Sequence, residues 1–257
     1  MSNKSPLINV IQNNISKISR RVLRDFGEIE NLQLSHEKLD KFVYKSFLYV
    51  KDNLKNNFLQ SRPEWEIIYQ DEKNNNRILD KNKCYWLIEP INGIENFKRG
   101  IPIFAICIAV IKNRETIASA IFDPVRDEFF FAEKGKGAYL NGRRIRVSNR
   151  INLKSSLISV EINSEDKILK MLFDLKDINK NNLRFFLCSA LSLSWVSCGK
   201  IECFVCTNIN QSVLECGKLI LRESGGFFSE HITSDKTRLI AANPVIHKHL
   251  TKIINSY

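Results

Sequence analysis

Trp86-Leu-Ile-Glu-Pro-Ile-Asn-Gly-Ile-Glu-Asn-Phe97 is the stretch that decides how this chain reads. Tyr85 and the first residues of the stretch form an apolar run that breaks at Glu89-Pro90 into a polar turn containing Gly93. The pattern is that of a buried strand ending in a turn. Downstream, residues 104–112, 117–122 and 128–132 read as further strands, separated by Asn113-Arg114, Asp123-Pro124 and similar turn signals. They predict a mostly antiparallel sheet. Residues 133–148 then read as a hairpin with Asn141-Gly142 at its turn.

Upstream, Ile8, Ile11, Ile15, Ile18, Val22 and Phe26 recur at steps of three and four, which predicts a core helix. A second helix is expected at about 39–59, closed by Arg62-Pro63, then a short strand at 67–69 and a polar run over 71–83. Beyond residue 150 the pattern alternates. Strands are expected at 157–160, 185–187, 201–206 and 239–242. Helices are expected at about 165–175, 191–198 and 213–224, the last ending at Gly225-Gly226, with a closing helix from Pro244. No linker rich in Pro, Gly or Ser interrupts the chain. The expected organisation is one compact unit, with residues 1–150 as an N-terminal α+β half carrying the motif strand and large sheet, and residues 151–257 as a C-terminal α/β half.

At 257 residues and 44% hydrophobic content the chain can bury a sizeable core. The start lacks an apolar leader and no stretch approaches a membrane span, so a cytoplasmic protein that does not enter membranes is expected. Seven cysteines, irregularly spaced, read as reduced and mostly buried thiols. Cys203 and Cys206, with Cys198 and Cys216 nearby, admit a zinc reading. In a strand, however, residues three apart point to opposite faces. The net charge of +11 suits an acidic partner such as RNA, an anionic protein surface or a phosphorylated ligand, but lysines dispersed through the whole chain make a solvated basic surface with no specific partner the default reading. His36, His231, His247 and His249 read as surface histidines, and Ser189 has no histidine placed to activate it.

Several segments share a further pattern: residues 86–97, Ile121-Phe-Asp-Pro-Val-Arg-Asp-Glu128, Glu133 to Ser148, Arg222-Glu-Ser-Gly-Gly226, Ile240-Ala-Ala-Asn243 and Glu30-Asn-Leu-Gln33. Together they resemble the inositol monophosphatase family, and most of all its bacterial extragenic-suppressor branch, over nearly the whole chain. The resemblance implies an α/β (α+β) fold, the layered αβαβα sandwich of the inositol monophosphatase and fructose-1,6-bisphosphatase superfamily, with an active site between two halves.

The family's chemistry gathers carboxylates around two or three Mg²⁺ ions that activate water against a phosphate ester. By this resemblance, the family's water-supporting aspartate falls on Phe47 and its bridging glutamate on Gln70, next to Asp71. Its two motif aspartates fall on Glu89 and Asn92, its water-orienting threonine on Ile94 and its last metal ligand on Val213. The ring-contacting glutamate falls on Cys206, and the small substrate loop becomes Leu187-Cys188-Ser189. Too few hard oxygens remain for several metal ions. Two residual capacities are expected: one weakly held Mg²⁺ on Glu89, Asp71 and the Ile91 carbonyl, or an anion on the Gly93 and Ile94 amides at a helix start. Alternatively Asn92 and Glu95 only cap that helix.

The resemblance therefore implies a catalytically inactive protein that needs no cofactor and acts by binding or scaffolding. Its branch is associated with RNA polymerase antitermination and ribosomal RNA maturation, so an antitermination complex or RNA is the expected partner, and a homodimer the expected assembly. The rival expectation is a Mg²⁺-dependent inositol or sugar phosphate monoesterase with a rearranged, reduced metal site. Lys134, Lys136, Arg143, Arg144, Arg146 and Arg150 surround the hairpin, as phosphate contacts or as part of a subunit interface.

Overall fold

The computed structural model describes residues 4–32, 36–69, 80–162, 167–232 and 237–254. Helix α1 (Pro6–Glu28) starts at Ser5, whose hydroxyl accepts the Ile8 N–H, with proline at its first position. Its apolar stripe is buried from Ile8 to Val22, against helix α2 (His36–Ser61) and one face of a seven-stranded sheet. Asp25 is buried on α1, where it accepts a 2.9 Å hydrogen bond from Ser46 of α2 and pairs with Arg21.

That sheet runs in the order β1 (Glu66–Tyr69), β2 (Cys84–Asn92), β3 (Ala105–Lys112), β4 (Glu115–Asp123), β5 (Glu128–Glu133), β6 (Gly137–Leu140) and β7 (Arg143–Arg144). All neighbours are antiparallel except β1 and β2. Alternation splits β2 between two apolar layers. Trp86 and Ile88 face the helix pair, where Trp86 stacks on Phe58 at 4.2 Å, while Tyr85 and Leu87 face inward. Asn141 and Gly142 both hold positive φ, 48° and 81°, the geometry of a two-residue hairpin turn. Between β2 and β3 the short helix α3 (Ile94–Lys98) follows Gly93.

The second sheet has five strands in the order β11, β12, β10, β8, β9: β8 (Ile158–Glu161), β9 (Leu183–Arg184), β10 (Cys203–Thr207), β11 (Phe227–Ile232) and β12 (Thr237–Ala242). Helices α5 (Ser189–Ser197) and α6 (Gln211–Glu223) lie between the sheets, and every residue of α5 is buried. A Cβ on Gly217 of α6 would meet Leu193 Cδ1 of α5 at 2.3 Å, so glycine is what lets these helices cross so closely. Helices α4 (Lys167–Asp174) and α7 (Pro244–Ile254) cover the outer face. The result is the expected αβαβα sandwich.

Three details differ from the sequence reading. Residues 185–187 form no strand; the short β9 precedes them, and Leu187 holds a φ of +53°. A full strand, β11, follows Gly225-Gly226 where none was expected. The motif strand also continues through Pro90 to Asn92, with its pairing to β3 shifting register between Glu89 and Asn92. Pro90 has no N–H to give to a ladder, so the irregularity falls there.

Candidate functional site

Where β2 loses its regular pairing, its polar residues reach across to the two central helices. Glu89 Oε2 accepts a 2.9 Å hydrogen bond from Nδ2 of Asn210, the N-cap of α6. The other end of the Asn210 amide accepts the Ser212 N–H at 2.8 Å. Burial pushes the Glu89 carboxyl up to about 7, and the Asn210 donor only partly opposes it. Glu89 therefore titrates near pH 7, well above the usual carboxylate range, and is only partly ionised there.

Asn92 reaches the other helix. Its Oδ1 accepts the Ala190 N–H at 3.0 Å in the first turn of α5, and the Cys188 thiol lies 3.3 Å from the same oxygen. Asn92 therefore serves α5, not α3. The expectation that Asn92 caps α3 is corrected: the N-cap position is Gly93, which has no side chain, and the Asn92 amide oxygen is spent on α5. Gly93 has φ +85°, and a Cβ there would lie 2.8 Å from the Ile103 carbonyl oxygen.

A second carboxyl, which the sequence reading did not single out, lies at the end of β8. Ser189 donates a 2.6 Å hydrogen bond to Glu161 Oε2, and Glu161 pairs in register with Cys206 of β10. Burial raises its pKa, with the Ser189 hydroxyl opposing. Cys188 and Cys206 are fully enclosed, and burial pushes both thiols far above the range where they would ionise. Asn96, also unanticipated, is buried and spends its amide N–H groups on the Ile103 and Phe186 carbonyls at 2.9 and 2.7 Å.

The structure thus brings Glu89 beside the N-terminus of α6, which carries Val213, and Asn92 beside Cys188 and Ser189. Phe47 and Ile94 pack at the edge of the outer apolar layer, whereas Val213 and Cys206 are buried in the central one. Ile91 is buried as well. Gln70 and Asp71 lie outside the described residues, as does Gln33. Among the described residues no group of three or more His, Cys, Asp or Glu side chains could hold a metal ion.

Cys203 faces the apolar layer under α4 and α7 and Cys206 the central one, so they do not converge on a zinc ion. His249 is exposed, but His247 is half-buried with Nε2 3.1 Å from Ser229 Oγ, which corrects its reading as a surface residue. The side chains of His36 and His231 lie outside the described residues. Of the basic group, Lys134 pairs with Glu115, Lys136 with Glu133, and Arg150 with the buried Glu202 at 2.7 Å. Arg143, Arg144 and Arg146 are exposed.

The sequence profile of the inositol monophosphatase family matches residues 3–257. The chain belongs to that family. An inositol-1-monophosphatase of Mesorhizobium japonicum is 29% identical over 98% of this chain and 97% of its own length. A Nus factor SuhB of Buchnera aphidicola is 32% identical over 84% of this chain and 85% of its own. Among solved structures, the extragenic suppressor protein suhB of Bartonella henselae superposes with a TM-score of 0.82 at 27% identity, covering 96% of this chain and 98% of that one. The last two agree with the SuhB-type branch read from the motifs. No helix among the described residues is long and apolar enough to cross a membrane.

Proposed function

We propose that this inositol monophosphatase family member is a binding or scaffolding protein that does not hydrolyse phosphate monoesters. One observation carries the reading: among the described residues, the polar groups at the motif positions, Glu89 and Asn92, are engaged within the protein. The Glu89 carboxyl is pushed up to about 7 by burial and hydrogen-bonded to Asn210, and Asn92 accepts from the first turn of α5. Val213 offers no oxygen and is wholly buried. Such a donor set does not fit two or three hard divalent cations, which require several ionised oxygens around one point. The Gly93 and Ile94 amides open a helix of only five residues.

The relatives named Nus factor SuhB in Xylella fastidiosa and Buchnera aphidicola support a place in a transcription antitermination complex, with RNA polymerase or RNA as partner. The proposal includes a homodimer. Ile101, Phe185 and Leu187 are apolar and exposed, and their loops are tied together by Asn96, which suits a surface covered by a second copy.

The test is hydrolysis of inositol monophosphate by the purified protein in Mg²⁺. Release of phosphate at background is expected. Metal-dependent turnover on the order of 1 per second or more overturns the proposal. The relatives named inositol-1-monophosphatase favour the second reading, a monoesterase with one Mg²⁺ on Glu89, Asp71 and the Ile91 carbonyl. A rise in melting temperature at millimolar Mg²⁺ would support it, because a ligand of the native state stabilises by mass action.

A further inference from the structure

The five-stranded sheet ends at β11, and among the described residues no strand pairs with the outer edge of β11. Helix α7 covers the sheet beside that edge. Its Pro244, His247, Lys248 and Thr251, spaced as one helical stripe, line a groove with Phe227 of β11 and Lys252. The groove has a volume of about 540 Å³, and Phe227 is 55% exposed within it. We propose that it receives an extended acidic segment of a partner protein, which adds to β11 as a further strand.

The alternation of β11 supplies the geometry. Phe227 and Ser229 face α7, where both meet His247, with ring centroids 6.0 Å apart and a 3.1 Å hydrogen bond respectively. Phe228 and Glu230 face α6, where Lys218 and Arg222 lie against the Phe228 ring and Lys218 pairs with Glu230. A strand laid along the outer edge of β11 sends alternate side chains toward the groove, and its main chain finds the donors and acceptors that an end strand presents. A single-stranded nucleic acid has no matching main chain.

Charge sets the chemistry of the segment. Lys248 and Lys252 stand one helical turn apart, are exposed, and have no ion-pair partner among the described residues. Lys134, Lys136, Lys200 and Lys218, in contrast, all pair with a carboxylate. Among the described residues no acidic side chain lines the groove. An apolar floor with a lysine rim fits apolar side chains alternating with aspartate or glutamate. This surface is distinct from the Glu89 site, and the inference does not depend on whether that site turns over.

The experiment uses the full chain and fluorescein-labelled peptides in which aspartate alternates with valine, leucine or phenylalanine, followed by anisotropy. Saturable binding is expected, weakened about tenfold or more by Lys248→Glu with Lys252→Glu. It should also be lost when alternate peptide nitrogens are methylated. Both lysines are exposed, so the double variant should keep its melting temperature, which is checked in parallel. A Phe227→Ser variant tests the apolar floor separately and should also weaken binding. Failure of every acidic peptide to saturate, or affinity unchanged in the double variant, overturns the inference. So does tighter binding of oligouridylate that is lost in that variant, which would give the rim to RNA instead.

Discussion

Asn210 donates to Glu89 at 2.9 Å while accepting the Ser212 N–H at 2.8 Å, so one side chain anchors the end of β2 and caps α6. Removing it has two costs that act together. Asn210→Ala leaves a helix N–H without its cap and an enclosed carboxyl without its donor. The expected destabilisation is about 1–3 kcal/mol. Urea unfolding at neutral pH checks this, and an unchanged midpoint would show that the amide is replaceable by water.

The Glu89 carboxyl also makes stability depend on pH in a stated direction. Its folded pKa, about 7, lies above the ordinary 4.5, so between those values the folded protein binds the extra proton. Below pH 4.5 both states are protonated and Glu89 costs nothing. As pH rises toward 7 the stability contributed by the neutral form is lost. The loss is at most about 3 kcal/mol, and less because the carboxyl is not wholly enclosed. Glu89→Gln keeps an acceptor for Asn210 and should flatten the difference between unfolding free energies at pH 5 and pH 8. Equal pH dependence in the two proteins would remove Glu89 from this role.

Local pattern revealed the elements, and distant contacts decided the site. The α1 stripe, the strand through Ile88, the Asn141-Gly142 turn and the opposed faces of Cys203 and Cys206 all follow from periodicity or turn chemistry over a few residues. Residues 185–187 read as a strand because they are aromatic and aliphatic. They bend because Asn96, ninety residues away, holds the Phe186 carbonyl, while Leu187 takes a left-handed conformation. Strand β11 was hidden because its two faces are both of mixed polarity, Phe227 with Ser229 and Phe228 with Glu230. Asn210 stands where an N-cap belongs, which sequence could have shown, but its bond to Glu89 spans 121 residues and leaves no local signal.

The residue correspondence itself is testable by building the missing ligands back. Phe47→Asp, Gln70→Glu, Glu89→Asp, Asn92→Asp, Ile94→Thr and Val213→Asp together should create a Mg²⁺ site. Without metal the variant should be less stable than the parent. Val213 is wholly buried, and clustered carboxylates repel one another. Calorimetric titration should find Mg²⁺ binding in the variant and little in the parent. Equal binding in both would mean that the family's ligands have been placed on the wrong residues.

The basic hairpin separates into residues that hold the fold and residues open to a partner. Arg150 neutralises Glu202, a carboxylate only 1% exposed that also accepts the Leu157 N–H at 2.8 Å. Arg150→Ala should therefore destabilise the protein by several kcal/mol, on the order of 3, whatever the partner is. Arg143, Arg144 and Arg146 are exposed, and the last donates to the Glu223 carbonyl at 3.3 Å. Changing those three to alanine should leave the melting temperature nearly intact. If they neutralise RNA phosphates, the triple variant should bind structured RNA more weakly. The slope of log affinity against log salt should also fall by nearly one for each phosphate left without its arginine. Gel shifts over a salt series read the slope, and light scattering reads the assembly. Dissociation of a dimer with RNA affinity unchanged would assign the hairpin to the subunit interface and reject the nucleic-acid role.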